Sequence, residues 1–115
     1  MSAATILIVD DERTLARAIK AYLDEAGYET VIAGDAESAL GLLGTLRPDI
    51  VISDVRLPGM DGITMLRKIR EFDPAIAVVV MTAHGSIEGA VEAVKLGAFD
   101  YLKKPLDLEE LKIVV

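Results

Sequence analysis

The chain has 115 residues, the size of one domain, and no linker-like stretch divides it. Nineteen acidic residues against twelve basic ones leave a net charge of −7, which opposes direct nucleic-acid binding, and the absence of cysteine removes disulfides, thiolate zinc sites and a cysteine nucleophile. Hydrophobic residues make up 52%, yet the longest apolar run, Ala75 to Met81, falls far short of the ~20 residues of a membrane span. Met1 to Thr5 lacks the basic start of a signal peptide, so a soluble cytoplasmic domain with no membrane contact is expected.

Ile6-Leu7-Ile8-Val9 is a short β-branched run without alternation, the pattern of a strand buried on both faces. From Arg13 to Ala26, Leu15, Ile19 and Leu23 recur at spacing four, which predicts a helix that Gly27 stops in a left-handed conformation. Thr30 to Ala33 reads as a second strand. Asp35 then caps a helix carrying Leu40, Leu43 and Leu46 and ended by Arg47-Pro48. Gly41 and Gly44 inside it each cost about 1 kcal/mol relative to alanine, making it the least stable helix before packing. Ile50 to Ile52 gives a third strand, and Ile63 to Phe72, with Leu66 and Ile69, a third helix closed by Asp73-Pro74. Ile76 to Met81 is a fourth strand. Ser86 to Leu96, with Ile87, Val91 and Val94, is a fourth helix closed by Gly97, and Phe99 to Leu102 a fifth strand. Asp107 and Glu110 form an acidic capping box for a fifth helix beginning at Leu108.

Five strands alternating with five helices predict an α/β fold with a parallel sheet between helical layers, and right-handed crossovers favour the doubly wound, flavodoxin-like order 2-1-3-4-5. In that order, chemistry gathers at the C-terminal strand ends. The first strand ends in Asp10-Asp11-Glu12, the third in Ser53-Asp54, the fourth in Thr82-Ala83-His84 and the fifth in Lys103-Lys104-Pro105.

Asp10, Asp11 and Asp54 are expected to converge, because the first and third strands are neighbours. Two unit charges 4 Å apart repel by about 4 kcal/mol at an effective dielectric near 20, so the three carboxylates call for a cation. Oxygen ligands suit Mg²⁺, and with a single histidine and no cysteine zinc is a poor fit. Any one of these aspartates is more simply read as a solvated loop residue or a helix cap. The combination on four strand ends is not. Given a metal and a phosphate, Asp54 is the candidate nucleophile toward phosphorus, while Asp10 and Asp11 hold the ion. Lys104 would then offer a cation to the phosphoryl oxygens and Thr82 a hydroxyl. Taken alone, Lys104 reads as a solvated lysine, Thr82 as a strand-end cap and Tyr101 as a core aromatic. Pro105 either starts a helix or holds a cis bond that aims Lys104.

These residues resemble the receiver domains of two-component response regulators, the CheY-like family. The resemblance covers nearly the whole chain and rests on Ile8-Val9-Asp10-Asp11-Glu12, on Asp54 followed by Leu57-Pro58-Gly59-Met60-Asp61-Gly62, on Met81-Thr82-Ala83, and on Tyr101 with Lys104-Pro105. It implies that Asp54 accepts phosphate from a sensor histidine kinase in a transfer the receiver itself catalyses. It implies that Asp11 binds Mg²⁺ directly, Asp10 largely through water, and Arg56 through its backbone carbonyl. Lys104 would contact the phosphoryl group through a cis Lys-Pro bond, and Thr82 and Tyr101 would form the switch pair. Arg56 and His84 would tune the lifetime of the phosphate. The output would be read on the surface formed by the fourth helix, the fifth strand and the fifth helix, which is also a face for homodimerisation.

Met81 to Ser86 and Leu96 to Tyr101 are most similar to receivers of NtrC-like transcription activators. That likeness implies that residues 1–115 are the receiver part of a longer regulator with its own output domain, the last helix being cut short. Two readings from other classes compete. An aspartyl-nucleophile phosphohydrolase would want Asp-x-Asp on the first strand, where Glu12 stands in the third place and Asp54 would have no task. A receiver-like interaction module that never takes up phosphate is opposed by the intact Asp, Thr and Lys set. A flavin or nucleotide binder is weaker, because the loop after the first strand is acidic and lacks a glycine-rich cradle.

Overall fold

The computed structural model describes residues 4–54, 62–82 and 100–103. In chain order these form β1 (Thr5–Val9), α1 (Arg13–Glu25), β2 (Glu29–Ala33), α2 (Ala36–Leu46), β3 (Ile50–Asp54), α3 (Gly62–Phe72), β4 (Ala77–Thr82) and β5 (Asp100–Lys103). The sheet is parallel with the order β2-β1-β3-β4-β5, the order expected from the alternating pattern. The fourth and fifth predicted helices lie outside the described residues.

Side chains of a strand alternate between faces, and both faces of the central strands are covered. Leu7 and Val9 of β1 and Val51 of β3 pack with Ala36, Ala39 and Leu43 of α2 and with Met65, Leu66 and Ile69 of α3. Ile6, Ile8 and Ile52 pack on the other face against Ala16, Ile19 and Leu23 of α1. A strand with apolar neighbours on both sides has no use for polar alternation, which is why β1 reads as an unbroken run.

The inward stripes differ in detail from the leucine spacings. On α1 the fully buried residues are Ala16, Ile19 and Leu23, while Leu15 is only partly buried. On α2 they are Ala36, Ala39 and Leu43, with Leu40 and Leu46 at the margin of the core. Alanines at the closest approach let a helix sit near the sheet and leave the larger leucines to fill the flanks.

The helix ends have separate causes. Asp35 at the N-cap of α2 accepts a hydrogen bond of 2.7 Å from the Ser38 amide. Gly27 after α1 has φ of 100°, the left-handed stop expected of a glycine there. At the end of α2 the left-handed residue is Arg47, with φ of 48°, and Pro48 follows it. At the bottom of the sheet, Asp49 donates its amide to Thr5 O at 2.8 Å and accepts the Thr5 amide on Oδ2 at 2.9 Å, which fixes β1 against β3.

Candidate functional site

The register carries two aspartates to the top of adjacent strands. Val9 of β1 pairs with Ser53 of β3, so the next residues, Asp10 and Asp54, stand side by side. Asp54 is still within the sheet, opposite Met81 of β4, and the Asp10 amide donates to Ala33 O of β2 at 3.1 Å. Ser53 is fully buried, and its hydroxyl donates to the Asp54 carbonyl at 2.9 Å, which satisfies it without water.

Asp10, Asp11 and Asp54 each bring a carboxylate oxygen within 4.8 Å of the other two. Asp10 is 1% exposed and Asp54 8%, while Asp11 is open to solvent. One Asp10 oxygen is engaged locally, accepting the Glu12 amide at 2.9 Å in a turn that starts α1. Glu12, at the N-cap of α1, makes no side-chain cap of its own. The expected convergence of the three aspartates is therefore present.

The donor set fits Mg²⁺. Ligand oxygens around that ion lie within ~4.2 Å of one another, twice the ~2.1 Å bond, so the three carboxylates need only draw in slightly or reach the ion through water. Two buried acids and one exposed acid leave an open side for water and a phosphate oxygen. At this spacing, unit charges repel by about 3 kcal/mol per pair at an effective dielectric near 20, less where Asp11 meets solvent, and a divalent cation reverses the sign of that energy.

Beside the cluster, over the ends of β1 and β2, lies an open cleft of about 530 Å³ lined by Asp10, Asp11, Arg13, Arg17, Ile32, Gly34 and Asp35. The two arginines stand one turn apart on α1. Nothing in the motif pattern draws attention to them, because the strand ends alone point to the acids. One turn further along α1, Lys20 donates to both the carbonyl and the hydroxyl of Thr30 at 2.9 Å and pairs with Asp24 at 3.1 Å, clamping the helix to β2.

Thr82 closes β4 opposite Lys103, and Tyr101 lies in β5 opposite Val80. Arg56, His84, Lys104 and Pro105 lie outside the described residues. Among the described residues, no helix is long and apolar enough to cross a membrane.

Residues 6–115 match the family of the response regulator receiver domain. The chain is 44% identical over 110 residues to Regulatory protein AtoC of Escherichia coli, covering 96% of this chain and 24% of that protein. It is 39% identical over 108 residues to the DNA-binding transcriptional regulator NtrC of Klebsiella pneumoniae, covering 94% of this chain and 23% of that protein. Among solved structures it resembles NtrX from Brucella abortus, with a TM-score of 0.92 at 38% identity over 97% of this chain and 25% of that one. A receiver domain protein from Clostridium thermocellum has a TM-score of 0.92 at 36% identity, covering 96% of this chain and 90% of that one. The chain thus spans about a quarter of the length of AtoC and NtrC. With its sheet order, its three converging aspartates and these matches, the chain belongs to the response regulator receiver domain family, as a relative of the AtoC and NtrC regulators of two-component signalling.

Proposed function

We propose that this domain is a phosphorylation-controlled switch in which Asp54 takes a phosphoryl group from a sensor histidine kinase. The observation that carries the reading is the placement of Asp54 on β3 with a carboxylate oxygen within 4.8 Å of those of Asp10 and Asp11 on β1. A carboxylate oxygen of Asp54 attacks phosphorus and the bond from phosphorus to the donor's imidazole nitrogen breaks, its electron pair staying on that nitrogen; an acyl phosphate forms, and the donor leaves as neutral histidine because the other ring nitrogen of the phosphohistidine carries a proton. Asp54 needs no general base, because its carboxylate is the nucleophile.

Asp10, Asp11, Asp54 and the Arg56 carbonyl would hold Mg²⁺, which when bound supplies positive charge against the phosphoryl oxygens. Burial of Asp10 and its hydrogen bond from the Glu12 amide keep one metal-side carboxylate in a fixed orientation. Lys104 is assigned the second cation at the phosphoryl group, aimed by Pro105, and Thr82 the hydroxyl donor. Tyr101 follows Thr82 as the switch aromatic. Arg56 and His84 set how long the phosphate survives, and a His84→Ala variant is expected to change the phosphoryl half-life between pH 5.5 and 8; an unchanged half-life removes His84 from this role.

Phosphorylation adds about −1.5 to −2 charges at a rim that is already acidic, so the phosphorylated state depends on the metal and Lys104. The change is read out where the fourth helix, β5 and the fifth helix meet, by homodimerisation or by an output domain. AtoC is a regulatory protein and NtrC a DNA-binding transcriptional regulator, each about four times this length, which supports a transcriptional output.

Incubation with acetyl phosphate and Mg²⁺ followed by intact-mass measurement tests the reading. One labile phosphoryl adduct is expected in the wild type and none in Asp54→Asn. Turnover of many phosphoesters that survives Asp54→Asn would assign a hydrolase, and no adduct with any donor would assign an interaction module.

A further inference from the structure

We infer that the cleft between α1 and the end of β2 is an anion subsite that admits small acyl phosphates to the acidic cluster, with Arg13 and Arg17 as its positioning residues. The inference rests on the phosphoacceptor reading of Asp54 and adds to it a route for small donors.

Arg13, Arg17, Lys20 and Asp24 follow one another at helical spacing along one flank of α1. The bonds from Lys20 to Thr30 show that this flank faces β2. Lys20 is fully engaged there, by Thr30 and Asp24. Arg13 and Arg17 differ: both line the cleft beside Asp10, Asp11 and Asp35, yet neither side chain makes a hydrogen bond or ion pair among the described residues. Two exposed arginines therefore border an open cleft, and guanidinium forks match the paired oxygens of carboxylate and phosphate.

The cleft shares Asp10 and Asp11 with the metal-type cluster, so an anion held by the arginines lies next to the reacting carboxylate's neighbours. Its volume of about 530 Å³ suits a small molecule. Ile32, partly buried, offers an apolar patch for an acyl group. Gly34 leaves the wall open, since a Cβ there would meet nothing within 4 Å.

Charge makes the arginines necessary. A chain of net charge −7 repels a dianionic donor, and the three aspartates concentrate that repulsion where the donor must arrive. Two local cations offset it along one path, and fields of this kind change encounter rates by ~10- to 1,000-fold. In the transfer, an Asp54 oxygen bonds to phosphorus, the bond between phosphorus and the acyl oxygen breaks, and the carboxylate leaves with that bond's electrons. The departing carboxylate is again an anion that a guanidinium can hold.

The test compares kcat/KM for phosphorylation by acetyl phosphate in the wild type, in Arg13→Gln/Arg17→Gln and in Arg67→Gln, an exposed arginine of α3 whose loss changes net charge alone. The double variant is expected to lose about tenfold at low ionic strength and to recover part of that loss as salt screens the acidic cluster, with Arg67→Gln near wild type. Phosphoramidate, whose leaving group is ammonia and not a carboxylate, should lose less. Independently of transfer, titration of the metal-free protein with inorganic phosphate, followed by amide NMR, is expected to give saturable shifts at residues 13–17 and 32–35 that the double variant lacks. Equal kcat/KM in the double variant and Arg67→Gln, or phosphate shifts that are absent or survive the double substitution, overturns the subsite and leaves Asp54 as phosphoacceptor. Saturable phosphate shifts in a protein that no donor phosphorylates would keep the subsite and overturn the phosphoacceptor reading.

Discussion

Asp24 and Asp35 illustrate how single hydrogen bonds tune this surface. The Thr30 hydroxyl donates to Asp24, and that bond, aided by Lys20, holds the Asp24 carboxyl below its ordinary value. The Ser38 amide does the same for Asp35 at the start of α2. A carboxyl whose folded pKa is lowered contributes stability that is fully present above its unfolded value, near 4, and lost as pH falls through the folded value. Asp24→Asn and Asp35→Asn should therefore lower the urea midpoint at pH 7, with the gap to wild type closing as pH falls below about 4; a gap that persists at low pH would assign the effect to packing. Asp11 carries the opposite expectation. It is exposed and adds charge beside buried Asp10. Asp11→Asn should stabilise the metal-free protein by a few tenths to about 1 kcal/mol and diminish the rise in Tm that Mg²⁺ gives the wild type. The three aspartates were legible because acids at the ends of apolar runs are conspicuous. Arg13, Arg17 and the Lys20-Asp24-Thr30 clamp were not, because they depend on which flank of α1 turns toward β2, and the apolar spacing on α1 fixes only the buried stripe.

At the scale of elements, α2 departs most from ideal helix chemistry among the described helices. Gly41 and Gly44 are exposed, and a Cβ on either would meet nothing within 4 Å. Gly41→Ala and Gly44→Ala should each add about 0.5–1 kcal/mol to stability, read as a higher urea midpoint at unchanged m-value. Arg47, which ends the same helix with φ of 48°, occupies a conformation that disfavours a side chain. Arg47→Gly should stabilise by roughly 1 kcal/mol, and loss of stability instead would mean that the arginine side chain holds the turn. The stop at Gly27 was legible from its residue type, whereas the left-handed stop at Arg47 was not, since the sequence there announces only the proline after it. The strands were legible to within a residue or two. β1, β2 and β3 are longer than their apolar runs, β3 reaching Asp54 because pairing with Met81 continues it beyond its last apolar residue, while β4 and β5 each lie one residue later than expected.

The whole molecule sets the chemistry through topology. A parallel sheet with β1 beside β3 leaves every strand pointing its C-terminal end to one rim, so residues 44 positions apart, Asp10 and Asp54, become neighbours without any local motif. Burial on both faces makes this rim rigid: Ile8 and Val9 before Asp10, and Ile52 and Ser53 before Asp54, are fully enclosed. A rigid floor of carboxylates that repel one another is poised to respond to charge, and both a cation and a phosphoryl group change that balance. The central claim is that Asp54 carries the phosphoryl group. After phosphorylation with acetyl phosphate and Mg²⁺, borohydride reduction converts a phosphoaspartate to homoserine, and peptide sequencing by mass spectrometry locates it. Homoserine at position 54 alone is the predicted result; homoserine at position 10 or 11, or a protein that incorporates phosphate with no reducible residue, would contradict it.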